Sequence, residues 1–141
     1  PAVSSRTDAG MLKATINWLK QVDYDLETAE HMLGSGRYVY VVFMCHLAIE
    51  KALKAVITEE TQKLPPRTHS LIDLAQRAQL SPSMEHREFI GKISDASVAT
   101  RYPDDLPAVV SQYTEPIAQA YLQETREVIA WIRRDARLQE P

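Results

Sequence analysis

The sequence predicts an all-α protein, an up-and-down bundle of four long helices with a shorter fifth helix. Three observations lead to this class. Apolar residues recur every three or four positions in several segments, no segment alternates apolar and polar residues as a strand does, and residues 37–56 are apolar on nearly every side. A helix that is apolar all round must be surrounded by other elements, so this last segment is expected to be the central helix.

The first two helices are expected to form an antiparallel hairpin. Apolar residues recur at every third or fourth position of residues 11–33, which predicts a helix there. The Gly-Ser-Gly segment at residues 34–36 is expected to end this helix. A connection this short makes the second helix, which begins near Arg37, turn back along the first. After Thr58 the helix gives way to a charged loop that contains two prolines.

Serine and threonine residues mark the expected starts of the next two helices. Thr68 or Ser70 can cap a third helix, which ends near Leu80. Ser81 followed by Pro82 predicts the cap and first position of a fourth helix.

The final helix is predicted beyond a break at residues 101–107, which contain two prolines. Thr114 is its expected cap, and Pro116 is tolerated in its first turn. Together the helices predict one domain over residues 11–138, preceded by a loose tail at residues 1–10.

The composition is that of one globular domain. Of the 141 residues, 45% are hydrophobic and 25% charged, and the formal net charge of -3 excludes the broad basic surface that drives non-specific nucleic-acid binding. No run approaches the ~20 apolar residues of a membrane span. Residues 1–10 lack the apolar core of a secretion signal, and the lone cysteine, Cys45, permits no intrachain disulfide. These features predict a cytoplasmic protein with no membrane partner.

Charged residues that follow the apolar stretch are the first functional candidates. Glu50, Lys51 and Lys54 are its first charges, at an end expected to face solvent or a cleft. The alternative is an ordinary surface pair, because Glu50 and Lys54 are spaced i, i+4 and such a pair contributes about 0.3–0.5 kcal/mol. His46 lies one turn before Glu50 and could help to transfer a proton; the alternative is a hydrogen-bonded core histidine.

The segment from Arg101 to Asp105 holds the densest set of chemical groups in the chain. Arg101 can bind a phosphate through two N–H groups, Tyr102 can stack on a base, and Asp104 can hold a cation or a partner's arginine. The alternative is a structural corner in which Asp104 or Asp105 caps a turn and Arg101 closes an ion pair. The sequence leaves both interpretations open.

Neither a metal nor a cofactor is predicted. The sequence contains no C-x-x-C, H-E-x-x-H, G-x-G-x-x-G or G-x-x-x-x-G-K pattern, which are the usual signatures of metal and phosphate-loop sites.

Four segments, taken in order, carry a resemblance to a known family. They are W-L-K-Q-V-D-Y-D-L-E-T-A from Trp18, G-R-Y-V-Y-V-V-F-M-C-H-L-A-I-E-K-A-L-K-A from Gly36, H-S-L-I-D-L from His69 and A-T-R-Y-P-D from Ala99. With this order and spacing, the chain resembles the HEPN domain family over about residues 11–138. The A-x-E-K-A-L-K-A part is the most specific.

The resemblance implies a helical bundle that pairs into a homodimer. Family members are often encoded beside small nucleotidyltransferases and bind them, and many such pairs behave as toxin and antitoxin. Other members are ribonucleases, in which an R-x(4–6)-H motif supplies an arginine to the phosphate and a histidine for acid–base attack by the ribose 2′-hydroxyl. In some toxin pairs the nucleotidyltransferase modifies a tyrosine just beyond that histidine, and Tyr102 is the nearest phenol here.

The ribonuclease motif is incomplete in this chain. Counting from Arg101, the histidine would fall at Leu106, Pro107 or Ala108, and no histidine follows His86. The missing histidine argues against an enzyme of the usual family type and favours a binding protein.

The leading hypothesis is therefore a homodimer whose cleft engages a nucleotide, an RNA or a nucleotidyltransferase partner. The residues expected to bind are Arg101, Tyr102, Asp104, Glu50, Lys51 and Lys54. One alternative is a ribonuclease toxin that uses Arg101 with His46 or His69 in place of the motif histidine. Another is a dimerisation module without its own activity.

Overall fold

Six α-helices and a C-terminal 3₁₀ turn make up the fold. A computed structural model describes residues 5–8 and 10–139, and this part of the chain contains no β-strand. The elements are α1 (Lys13–Gly34), α2 (Tyr38–Thr61), α3 (Leu71–Arg77), α4 (Met84–Arg101), α5 (Leu106–Gln112), α6 (Glu115–Arg133) and the 3₁₀ turn Ala136–Leu138. The predicted all-α class is confirmed, with four long helices and with two short helices where the sequence predicts one.

The most apolar helix, α2, lies at the centre, as the sequence predicts. It contacts all five other helices. Val42, Ile49 and Leu53 are fully buried on one side of it, and Val41 and Cys45 on the other. Because burial of one such aliphatic side chain contributes about 1.5–3 kcal/mol, a helix with almost no polar face is stable in this position. Among the described residues, no helix is long and apolar enough to cross a lipid bilayer.

The predicted antiparallel hairpin of α1 and α2 is present. Near the end of α2, Glu59 accepts a hydrogen bond of 3.0 Å from the backbone N–H of Leu12, just before α1 begins. Further along, the Lys51 ammonium lies 2.9 Å from the Asp25 carboxylate. Late residues of α2 thus meet early residues of α1, which requires opposed helix directions.

The last long helix, α6, lies against α1 and also runs opposite to it. Arg126 pairs with Glu30, and Arg133 pairs with Asp23, so the order of contacts along the two helices is reversed. Ring contacts of α4 join its first turn to the last turns of α6. The four long helices therefore alternate in direction, which is the expected up-and-down arrangement.

The helix caps confirm some expected starts and correct one. The Ser70 hydroxyl accepts a hydrogen bond of 3.2 Å from the Asp73 amide and caps α3, as predicted. The predicted start of the fourth helix at Ser81 and Pro82 is wrong by two residues. Ser83 caps α4 instead, because its hydroxyl accepts the His86 amide at 3.1 Å.

The short helix α5 begins within the break expected at residues 101–107 and ends before Thr114, the expected cap of the final helix. Asp105 caps it by accepting the Ala108 amide at 3.2 Å, and Pro107 lies in its first turn. Proline is favourable at that position because the first N–H groups of a helix need no intrahelical acceptor. The predicted turn cap by Asp104 or Asp105 is thus confirmed for Asp105. No side chain of α5 is buried.

Part of the predicted N-terminal tail is tied to the bundle. Arg6 forms an ion pair with Glu59 and donates a hydrogen bond of 2.8 Å to the carbonyl of Gly10. The Thr7 amide donates to the carbonyl of Met11 at 2.7 Å. These contacts join residues 6 and 7 to neighbouring segments, whereas residues 1–4 and 9 lie outside the described residues, and the boundary between tail and domain stays a prediction.

Candidate functional site

A cleft of about 440 Å³ opens between the N-terminal half of α2 and the segment that joins α4 to α5. Its walls are mostly aromatic and apolar, and they include two arginines. The lining residues are Gly36, Arg37, Tyr38, Val39, Tyr40, Phe43, Thr100, Arg101, Pro103, Leu106, Val110 and Tyr113. We call it the arginine cleft. Its volume suits a small ligand.

Arg101, the last residue of α4, brings a permanent positive charge to the arginine cleft. Its guanidinium carbon lies 4.9 Å from the centroid of the Phe43 ring, within the range of a cation–π contact. Its Nε atom is buried and has no hydrogen-bond partner among the described residues. The ion pair of the structural-corner alternative is absent among the described residues, so the Arg101 charge is available to an external anion.

The N-terminus of α2 borders the same cleft. Gly36 takes a positive φ of 79°, which lets the chain reverse into α2, and Gly36, Arg37, Tyr38 and Val39 all line the cleft. Among the described residues, no side chain caps α2, and its first turn contains no acidic residue. The N–H groups of Tyr38 and Val39 accordingly have no acceptor there, and they lie at the positive end of the helix dipole, where an anion is favoured.

A polar row follows α2 away from the cleft, formed by His46, Glu50 and Lys54 at successive turns. Glu50 and Lys54 are only 3% and 7% exposed. The Glu50 carboxylate receives Lys54 Nζ at 3.1 Å and lies 2.9 Å from Nδ1 of His69, whose side chain is 63% exposed. The prediction that Glu50 and Lys54 face solvent or a cleft is wrong: they form a buried pair, with Glu50 against His69 of the loop before α3 and Lys54 beside the Trp18 ring of α1.

His46 connects this row to the arginine cleft. It is buried, and its Nδ1 atom has no hydrogen-bond partner in the described part of the chain. Burial lowers the pKa of His46 to about 4; Glu50 acts in the opposite direction, whereas the charges of Arg101 and His69 lower the pKa further. His46 is therefore neutral at pH 7 and is a weak base.

The remaining candidates lie apart from the cleft wall. Lys51 pairs with Asp25 of α1 and so faces the hairpin. Tyr102 is 74% exposed, Asp104 is exposed, and neither lines the cleft. Of the six residues expected to bind, only Arg101 lines it. Binding roles for the others remain predictions.

Arg37 is the site residue that sequence reasoning missed. Its side chain lines the arginine cleft and, among the described residues, forms no salt bridge. The signal was present in the sequence: a Gly-Arg pair immediately before an apolar helix places a cation at a helix N-terminus, where anions bind. Elsewhere in the described residues, no three His, Cys, Asp or Glu side chains converge as metal ligands.

The fold and the site together define an α-helical bundle protein with a cationic, aromatic cleft beside its central helix. The HEPN domain model matches residues 16–135, and the chain therefore belongs to the HEPN family. No curated protein matches the chain significantly.

Two solved structures share the fold. TT1696 from Thermus thermophilus is 25% identical, with a TM-score of 0.72 over 86% of this chain and 98% of that chain. ST0689, described as an archaeal HEPN homologue, is 22% identical, with a TM-score of 0.67 over 84% of this chain and 94% of that chain.

Proposed function

We propose that this HEPN protein is a binding protein whose arginine cleft holds the phosphate of a nucleotide. The observation that carries the proposal is the guanidinium of Arg101, which lines the cleft, has a buried Nε without a partner and pairs with no carboxylate among the described residues. A cation without a counter-ion in a concave site is suited to an anionic ligand. Phosphate fits the planar fork of arginine, which can donate two parallel hydrogen bonds.

Two further features support a nucleotide over a bare anion. The uncapped N-terminus of α2 adds backbone donors beside Arg37, which is the arrangement that favours phosphate. Tyr38, Tyr40 and Phe43 supply aromatic rings in the same cleft. Rings of this kind stack on nucleobases, and each stacked base contributes about 1–3 kcal/mol.

Calorimetric titration of the purified protein with AMP tests the proposal. We expect Arg101→Ala to weaken binding at least about tenfold, because charge-assisted hydrogen bonds contribute about 1.5–3 kcal/mol. Arg87→Ala is the matched control, since Arg87 is exposed on the same helix and lies outside the cleft. Equal loss in both variants, or no AMP binding by the wild type, would overturn the proposal.

The assembly expected from the family is part of this proposal. We propose that the protein forms a homodimer and binds a small nucleotidyltransferase, in a pair of the toxin–antitoxin kind. Light scattering should then give twice the monomer mass of 16.0 kDa. A monomer at micromolar concentration contradicts the dimer but leaves nucleotide binding open, since the arginine cleft is formed within one chain.

A second candidate function, a ribonuclease, is favoured by one observation. Glu50 lies 2.9 Å from Nδ1 of His69, and this contact orients an exposed imidazole and leaves its Nε2 for a substrate. His69 is thus a better acid–base candidate than His46, whose pKa of about 4 keeps it neutral and weakly basic. His69 nevertheless lies outside the lining of the arginine cleft.

Incubation with labelled RNA in EDTA separates the two candidates. Cleavage that is lost in both Arg101→Ala and His69→Ala would establish a ribonuclease and displace the binding protein. If neither RNA cleavage nor nucleotide binding occurs, the dimerisation module without its own activity becomes the better account.

A further inference from the structure

A second hollow, of about 500 Å³, adjoins the arginine cleft on the other side of α2. The two hollows share Arg37, Tyr40 and Phe43, which form a ridge between them. Beyond the ridge, the hollow is bounded by Met44 and by residues from the end of α1. A ligand bound at the ridge can therefore reach both hollows.

The surface of the second hollow suits a flat apolar ring. Met32 and Met44 provide thioether groups, and the Tyr40 ring is 54% exposed at the ridge. Aromatic faces stack on planar heterocycles, and methionine sulfur adapts to the edges of such rings. None of these three residues is charged, and the one charged residue that lines the hollow, Arg37, also lines the arginine cleft.

The polar atoms of the hollow discriminate between rings. The Thr28 hydroxyl donates its hydrogen to the carbonyl of Tyr24 at 2.9 Å, and the Ser35 hydroxyl donates to the carbonyl of Met32 at 3.2 Å. A carbonyl can only accept, so the hydrogen of each hydroxyl is used in the bond to its carbonyl. The two oxygens are left as acceptors, which attract an exocyclic amine and repel a carbonyl oxygen.

We propose that this hollow is a nucleobase subsite for a 6-aminopurine, so that the ligand of the arginine cleft is an adenine nucleotide. The inference rests on the proposed nucleotide-binding function. Arg101 and the N-terminus of α2 hold the phosphate, the ring packs on Tyr40, and the 6-amino group donates to Thr28 or Ser35. Hypoxanthine has nearly the same shape but carries an oxygen at that position.

Three probes test the subsite: AMP, IMP and ribose 5-phosphate, each titrated calorimetrically. We expect AMP to bind about tenfold more tightly than IMP. In the IMP complex the hydrogen bond of the 6-amino group is lost, and the 6-oxygen faces a hydroxyl oxygen that is also an acceptor. Ribose 5-phosphate should bind more weakly than either. The double variant Thr28→Val/Ser35→Ala should bring AMP to the affinity of IMP.

The matched control is Thr61→Val/Ser94→Ala. Thr61 and Ser94 also donate to helix carbonyls but lie outside both hollows, so this variant should keep the preference for AMP. Circular-dichroism melts establish that both variants are folded.

The possible outcomes separate the two proposals. Equal binding of AMP, IMP and ribose 5-phosphate, all dependent on Arg101, would overturn the base subsite and retain the phosphate site. No binding of any probe would overturn both. A preference for AMP that survives Thr28→Val/Ser35→Ala would show that these hydroxyls do not select the base, and would also overturn the subsite.

Discussion

The guanidinium carbon of Arg101 lies 4.9 Å from the ring centroid of Phe43, so the end of α4 is joined to the central helix by a cation–π contact. Such a contact is worth about 0.5–2 kcal/mol and fixes the direction of a long side chain. It satisfies the face of the guanidinium, whereas the Nε–H in the plane of the group has no acceptor among the described residues. Arg101 is therefore held in place without a counter-ion from that part of the chain.

The buried charge of Glu50 should matter for stability. Glu50→Gln leaves the Lys54 ammonium buried without a counter-charge, and removing one member of a buried pair costs about 3–5 kcal/mol. Urea denaturation at pH 7 measures this loss. Asp23→Asn, which breaks the exposed pair with Arg133, should cost less than about 1 kcal/mol. Similar losses in the two variants would contradict the burial of Glu50.

His46 should make stability depend on pH. Its pKa is lowered to about 4 by burial, with Glu50, Arg101 and His69 as the neighbouring charges. Between pH 6.5 and 4 the unfolded chain therefore binds a proton here that the native protein excludes. The free energy of unfolding should fall as pH falls through this window, by up to about 3 kcal/mol at its lower end.

Urea denaturation from about pH 7 to about pH 4 tests this dependence through a comparison of slopes. His46→Gln should flatten the pH dependence, because the variant has no group that titrates at this position. His31→Gln, at an exposed position of α1, should leave the slope unchanged. Parallel curves for the wild type and His46→Gln would show that His46 does not carry the effect.

Leu53 tests the central position of α2. Its side chain is fully buried, so Leu53→Ala should lower the free energy of unfolding by about 2–5 kcal/mol. Leu64→Ala, in the exposed loop after α2, should change it by less than about 0.5 kcal/mol. Chemical denaturation of both variants makes the comparison, and a loss below about 1 kcal/mol for Leu53→Ala would argue against a fully packed α2.

The lone thiol should be inert in the native protein. Cys45 is buried, and burial raises its pKa to about 11, although the neighbouring Thr125 hydroxyl acts against the rise. Reaction with Ellman's reagent at about pH 8 should be at least about a hundredfold slower in buffer than in urea, because the thiolate is the reactive form. Rapid stoichiometric labelling of the folded protein would contradict this burial.

The long helices were predictable because their apolar periodicity and caps act locally. The central position of residues 37–56 was indicated by apolar residues on nearly every side of the helix, and the cap at Ser70 by its spacing to Asp73. By contrast, α5 buries no side chain, so it leaves no apolar period to detect. Its only signals, Asp105 and Pro107, are equally typical of a turn.

The site was only partly predictable, since a cleft depends on which faces the bundle brings together. Arg101 was identified from its chemistry alone. Glu50 and Lys54 were expected to be accessible because the charges end an apolar run, but His69 and Trp18 from other parts of the chain pack beside them, which no periodicity within α2 reveals. Arg37 was not predicted as a binding residue, because its significance depends on the uncapped N-terminus of the helix that follows it.

NMR can show whether a phosphate binds between Arg101 and the start of α2. AMP would be added to ¹⁵N-labelled protein, and the Arg101 Nε–H and the backbone amides of Tyr38 and Val39 would be followed. We expect these signals to shift together and to saturate with one binding constant, and those of α6 residues around Arg133 to stay in place. No shift at Arg101, or saturable shifts confined to other surfaces, would rule out a phosphate site between Arg101 and α2.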